Sequence, residues 1–359
     1  MASYKTIEIS QAFAKFDDII DVRSPAEYAD DHLLGSISLP VLSNEERAFV
    51  GTLFTQVSSF EAKKYGATII ARNISRHLND TLIDKPKEWQ PLIYCWRGGA
   101  RSSSMAHILA QVGWRTAQLH GGYKAYRRHI ISALDILPKE FKFIVICGAT
   151  GSGKSRLLRS LAEQGAQVLD LEELAQHRGS LLGRLPDQKQ PSQKTFESRI
   201  YNALQDFSTM RPVYIEAESR KIGAISLPSV LIAHIRSAQC IQMEATNNSR
   251  IELLLEEYSH FLLNPNVLNE RLALLTELHG QKVIKYWSEL ASNGEWKGLV
   301  KDLLTRHYDP AYLRSTVDNF DQLPIAERLE LASLDYDSLK SVAMELINKE
   351  NLIISTKHS

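Results

Sequence analysis

The chain has 359 residues, 44% hydrophobic and 23% charged, with 42 Lys and Arg against 42 Asp and Glu. This is ordinary globular composition, enough for roughly two domains of about 150 residues, and it excludes a disordered, collagen-like or low-complexity chain. The polar start MASYKTIEISQAF is unlike a secretory leader, and the most apolar stretch, Phe143 to Ala149, is too short to cross a bilayer. No membrane partner is expected. Three scattered cysteines, Cys95, Cys147 and Cys240, exclude a disulfide framework or a zinc cluster, which places the protein in a reducing cytoplasm. The zero net charge hides an asymmetry. From Cys95 to Arg159, eleven basic residues face two acids, a local charge of +9 that can gather anions.

In chain order, the first third alternates strand and helix. Strands are expected at Ile19 to Val22, Ser36 to Leu39, Pro91 to Cys95 and Thr116 to Leu119, with helices around Asn44 to Thr55, Phe60 to Leu78 and Ala100 to Val112. Such alternation predicts a parallel sheet covered on both faces. A boundary falls in Ala133 to Phe141, which contains Pro138. A second α/β unit opens with FKFIVICGATGSGKS, a strand, a glycine loop and a helix at Lys154 to Glu163. Further strands are expected at Gln167 to Leu169, Val213 to Glu216, Val230 to Ile232 and Ile241 to Glu244. From Asn247 onward apolar residues recur at helical spacing, and Leu329 to Asn351 also reads as helix. The expected division is 1–135, 136–246 and 247–359, the last packed on the second.

Cys95 ends the apolar strand PLIYC and enters WRGGARSSS and a helix. Backbone amides of a glycine loop at a helix N-terminus favour negative charge, and Arg97 and Arg101 add two cations, so the placement favours a reactive thiolate over a buried core cysteine. The spacing Cys-x5-Arg also describes the phosphate loop of cysteine phosphatases. The wider pattern speaks for another fold: DVRSPAEY at Asp21 to Tyr28, LLGSISLP, and LHGGYKAYRR together resemble the rhodanese-like domain. That resemblance implies sulfur-transfer chemistry, with Asp21 and Arg23 beside the active loop of Cys95, Arg97 and Arg101, and a Gly-Gly-Tyr segment leading into the closing helix. His32 to Ser36 departs from the common pattern at a turn.

Gly148, Gly151, Ser152, Gly153, Lys154 and Ser155 belong to a complete G-x-x-x-x-G-K-[ST] motif between a strand and a helix. Its amides cradle phosphate oxygens, Lys154 reaches the terminal phosphates, and Ser155 is placed to hold a magnesium ion. The apolar strand VYIEAES ends in Glu216 and Glu218 where an aspartate is usual. These carboxylates are candidates for binding magnesium or orienting a nucleophile, with pairing to Arg220 or Lys221 an equal alternative. The loop predicts a di- or triphosphate ligand without specifying ATP.

A rhodanese-like domain fused to a P-loop domain resembles the bacterial tRNA 2-selenouridine synthase family. The segments ERAFVGTLF, GATIIARNI, YCWRGGARS, GGYKAYR, QPSQKTFES, IEAESRKIG and HYDPAY carry the resemblance through nearly the whole chain. It implies a tRNA substrate bearing 2-thiouridine at wobble position 34 of the anticodon arm. It further implies replacement of that sulfur by selenium from selenophosphate, through an S-geranyl intermediate made with geranyl diphosphate. Selenophosphate synthetase is then an expected partner, and no tightly bound cofactor is expected beyond magnesium. Cys95 would either take up selenium or assist departure of the geranyl thiol. Lys124, Arg127 and Arg128, interleaved with Tyr123 and Tyr126, are candidates for tRNA contact, the alternative being that both tyrosines pack inward.

Overall fold

A computed structural model describes residues 3–12, 16–179, 183, 189–314 and 319–356. The chain forms two compact units, one from Met1–Ala133 with Pro191–Asn202, the other from Leu134–Gln190 with Ala203–Ser359.

In the first unit, strands β1 (Lys5–Ile7), β2 (Asp18–Asp21), β3 (Ser36–Ser38), β4 (Pro91–Tyr94) and β5 (Ala117–Leu119) form a sheet in the order β1-β5-β4-β2-β3. All four pairings are parallel, as the alternating pattern predicts. Helix α1 (Pro25–Asp30) starts at a reciprocal cap between Ser24 and Glu27, and α2 (Asn44–Gln56) at a similar one between Ser43 and Glu46. Helix α2, with α3 (Ser59–His77) and α4 (Ala100–Val112), covers a core containing Ile20, Val22, Ile74, Ile93, Met105 and Leu109, and α5 (Gly122–Leu134) follows β5. Because β4 is buried along its whole length, its C-terminal end delivers Cys95 at the end of the sheet where open α/β folds place their sites.

In the second unit, β6 (Phe143–Cys147), β7 (Gln167–Leu169) and β8 (Val213–Glu216) are followed by a short antiparallel pair, β9 (Lys221–Ile222) and β10 (Ile225–Ser226). Strands β11 (Gln239–Ala245) and β12 (Glu327–Leu331) complete a parallel sheet in the order β12-β11-β6-β8-β7. Helix α6 (Lys154–Glu163) buries Leu157, Leu158 and Leu161 with Ile144, Ile146 and Met243 of the sheet. Helix α7 (Leu171–Ala175) follows β7 directly. A separate cluster around Trp287, with Phe261, Leu268, Leu272, Leu299 and Leu303, is the core of the helical region.

The structure departs from the sequence expectations in three places. Helix α8 (Gln193–Gln205) follows Gln190 in sequence, yet Pro191–Asn202 belongs to the first unit, where Lys194 pairs with Asp30 at 2.5 Å and Ser198 bonds Asp31 at 3.2 Å. Its amphipathic pattern specifies a helix but not the sheet it covers. Val230 to Ile232 is helical, inside α9 (Ser229–Arg236), because an apolar run this short carries no decisive period and Pro228 starts a helix there. Leu329 to Leu331 is strand: ERLEL alternates, and Leu329 and Leu331 pair with Met243 and Ala245 of β11. The predicted helix begins only at Tyr336 and runs to Thr356.

Candidate functional sites: two anion-cradling loops

The first loop is held from both ends. Cys95 O accepts from Tyr123 N at 2.8 Å and Trp96 O from Lys124 N at 3.0 Å, so the first amides of α5 clamp the loop's carbonyls. The approach is so close that a Cβ on Gly122, whose φ is +55°, would lie 2.2 Å from Cys95 O. Only glycine fits, which explains the Gly-Gly-Tyr segment. Cys95 is buried, 3% exposed. Its Sγ receives a hydrogen bond from Ser102 Oγ at 3.1 Å, and Gln118 Nε2 donates to Ser102 Oγ at 2.7 Å and to Gly98 O at 2.9 Å. Neither Ser102 nor Gln118 was singled out from the sequence. The serine follows directly from the loop's spacing, whereas the glutamine arrives from β5.

Around this thiol the predicted cations separate. Arg97 is exposed beside the loop. Arg101 is bound to Glu27 at 2.6 Å and 3.3 Å. Burial opposes the Glu27 charge, but Arg101 outweighs it and holds that carboxyl below its ordinary value. Asp21 and Arg23 are almost inaccessible. Arg23 Nη2 donates to Asp21 at 2.6 Å and to Asp31 O at 2.6 Å, and its guanidinium lies 4.0 Å from the Tyr123 ring centroid. The pair therefore lies buried beneath the loop, where it braces α5. An open dish of about 400 Å³ lies outside it, lined by Trp96, Glu27, Asp30, Ala26 and Arg47, the last from α2 and not foreseen. Of the tRNA candidates, Lys124 and Arg128 are exposed on one face of α5, while Arg127 is ion-paired to Glu197. Tyr123 and Tyr126 pack inward, 2% and 0% exposed, which settles the alternative raised for them.

The second loop opens onto a cavity. Gly148 must be glycine, since a Cβ there would meet Ser152 Oγ at 2.5 Å and Met243 O at 3.0 Å. Lys154 Nζ donates to Gly148 O at 2.7 Å, and Ser155 Oγ donates to Glu172 Oε2 at 3.0 Å. The loop lines a cavity of about 300 Å³ with Arg156, Arg178, Glu218, Glu257 and His307 among its walls. Glu172, at the start of α7, was not predicted. It joins Glu216 and Glu218 in a cluster whose ligand oxygens lie within 4.8 Å of one another. Glu216 Oε1 accepts from Glu172 N at 2.9 Å, whereas the buried Oε2 has no hydrogen-bond partner among the described residues. Burial is the largest cause in raising all three, Glu172 to about 7, Glu218 to about 8 and Glu216 well above the carboxylate range; repulsion from Glu172 adds to the last two, and repulsion from Asp170 to all three. Lys154 is the opposing charge on Glu218, in place of the Arg220 or Lys221 the sequence offered. A hard, all-oxygen set with an orphaned carboxylate oxygen fits magnesium. A second, apolar hollow of about 60 Å³ adjoins, walled by Phe261, Leu268, Trp296, Leu299 and Leu303 and sharing Thr150, Leu254, Tyr258 and Tyr308 with the first.

Fold and loops together define a two-unit protein, a rhodanese-like α/β unit and a P-loop α/β unit with a helical C-terminal region. Comparison with known proteins finds the same two parts: a rhodanese-like domain family matches 7–129, and the tRNA 2-selenouridine synthase AAA domain family matches 141–270. The tRNA 2-selenouridine synthase of Aeromonas salmonicida is 31% identical over 337 residues, 86% of this chain and 90% of that protein. Those of Nitrosomonas europaea and Nitrosomonas eutropha are both 34% identical over 255 residues, 70% of this chain. The matched stretch spans just under two thirds of their length, 66% and 65%. The chain belongs to the tRNA 2-selenouridine synthase family. Among the described residues no helix is long and apolar enough to cross a membrane.

Proposed function

We propose that the protein is a tRNA-modifying transferase that converts 2-thiouridine at wobble position 34 to 2-selenouridine with selenophosphate, through an S-geranyl intermediate made from geranyl diphosphate. The observation that carries the reading is the adjacency in the second unit of a phosphate-cradling cavity and an apolar hollow with four shared residues. A diphosphate with an apolar tail matches that pair of surfaces, whereas a nucleotide would set a polar base and sugar against Phe261, Leu268 and Trp296. Displacing sulfur from C2 of a pyrimidine is slow because sulfur leaves poorly. Alkylation first converts it to a thioether that departs as a thiol.

In the first step the thiocarbonyl sulfur attacks C1 of the geranyl group and the C1–O bond breaks. The leaving diphosphate is stabilised by Lys154 and the amides of Gly151 to Ser155, donors placed where charge develops. Ser155 with Glu172, Glu216 and Glu218 would hold magnesium, which when bound neutralises diphosphate charge. In the second step the selenium of selenophosphate attacks C2 and the C2–S bond breaks, with Cys95, steadied by Ser102, giving its proton to the departing geranyl thiol; water then cleaves the Se–P bond and releases phosphate. Lys124 and Arg128 would bind tRNA phosphates, with the wobble base swung out of the anticodon stack. Selenophosphate synthetase is the natural supplier of the selenium donor.

Calorimetric titration of the full chain with geranyl diphosphate, ATP and GTP separately tests the ligand assignment. Geranyl diphosphate is expected to bind; tight ATP or GTP binding without it would overturn the reading. Mass analysis of nucleosides from thiolated tRNA incubated with geranyl diphosphate and selenophosphate then tests the reaction.

A further inference from the structure

His307 stands where the two hollows meet. It lines the phosphate cavity, and the next residue, Tyr308, lines both that cavity and the apolar hollow. A prenyl diphosphate spanning them would have its C1, the carbon between head and tail, at this junction. His307 Nδ1 lies 3.1 Å from His279 Nε2, and the His279 ring is edge-on to Trp287 at 5.1 Å, so the pair is held in place by the helical core. With Nδ1 engaged by His279, Nε2 is the nitrogen left for the cavity. The motif HYDPAY brought this residue to notice from sequence but supplied no role for it.

We propose that His307 is the general base of the alkylation, an inference that rests on the geranyl diphosphate reading. As sulfur attacks C1 and the C1–O electron pair leaves with diphosphate, the thiouridine N3–H proton passes to His307 Nε2. The product is a neutral S-alkyl pyrimidine, and the contact between Nδ1 and His279 keeps the imidazole ring oriented toward the cavity. Such a base must be uncharged before it acts. Burial first, then His279 and Arg314, lower its proton affinity from the ordinary 6.5, which keeps it neutral at physiological pH. The groups facing it are His279 from the Thr276–His279 helix, Arg314 and Tyr308 on its own segment, and, across the cavity, Lys154, Arg178, Glu218 and Glu257.

The test uses the full chain with thiolated tRNA and follows single-turnover geranyl transfer from pH 5 to 8, alongside calorimetric binding of geranyl diphosphate. Wild type should lose rate as pH falls through the His307 titration. His307→Gln should bind geranyl diphosphate within about threefold of wild type, react roughly 100-fold more slowly and lose that acidic limb. His279→Gln removes a neighbour that lowers His307, so its limb should move to higher pH. That second variant keeps the test decisive if His307→Gln fails to fold. A wild-type rate with an unchanged limb in His307→Gln, or an unmoved limb in His279→Gln, overturns the inference while leaving the ligand assignment intact. Failure of wild type to bind geranyl diphosphate overturns the underlying reading and this inference with it.

Discussion

The two loops share one plan, a buried parallel strand ending in a glycine turn and a helix, yet they finish it differently. At the Cys95 loop the polar groups are answered from within: Arg101 by Glu27, the sulfur by Ser102, and two carbonyls by the first turn of α5. At the P-loop, Ser152 Oγ and Glu216 Oε2 are buried without a partner among the described residues, and three carboxyls crowd an open cavity. Buried polar groups are costly unless bonded. The first loop is therefore a finished holder for one atom of sulfur. The second keeps its polar groups turned to a cavity lined by Lys154, Ser155, Glu172 and Glu218.

The sharpest way to break this comparison is Cys95→Ala. It should abolish selenium incorporation while geranyl transfer persists, measured by mass analysis of the tRNA nucleosides; loss of both in a folded variant would deny the two loops separate tasks. Lys154→Ala comes next. It removes a charge-assisted contact worth about 1.5–3 kcal/mol, so geranyl transfer should fall roughly ten-fold or more. Selenation of tRNA supplied already geranylated should change much less.

The carboxyl cluster sharpens the contrast through pH. Glu172 and Glu218 are raised to about 7 and about 8 in the folded protein, by burial before anything else, from an ordinary value of 4.5. The folded state then holds protons that the unfolded chain releases, so this contribution is complete below pH 4.5 and is lost as pH rises through about 7 and 8. Without metal, the thermal midpoint should fall across that window, Glu218→Gln should flatten the fall, and magnesium should stabilise most at the alkaline end. A smaller effect belongs to the first unit. Replacing Lys124 and Arg128 by glutamate should flatten the salt dependence of tRNA binding by about 1.5 units on a log–log plot. Arg127→Ala should act mainly on stability, because that cation is already paired with Glu197.

Both loops were legible because each is a contiguous motif whose chemistry lies in neighbouring residues. What surrounds them was not. Glu172 enters the P-loop site from the start of α7, and Gln118 reaches Cys95 through Ser102 from another strand. No local spacing encodes either approach. Arg101 looked like a partner of the thiol because it is close in sequence, yet Glu27, 74 residues away, holds it. The apolar hollow combines Thr150 with Trp296 and Leu303, residues whose helical periodicity predicts burial but not an empty space beside a phosphate loop. Strand β12 was missed for a different reason: it is short and runs into a long helix.

Because Pro191–Asn202 belongs to the first unit while the chain on both sides of it belongs to the second, no single cut yields two whole units. A gene truncated after residue 133 would lack Ser198, which bonds Asp31, and Glu197, which neutralises the partly buried Arg127. Recombination that exchanged one half for a foreign counterpart would have to exchange this patch with it, from the middle of the other half. The two units are thus interleaved along the chain. A laboratory fission of the protein would restore the first only if 191–202 were supplied in trans or grafted onto its C-terminal end.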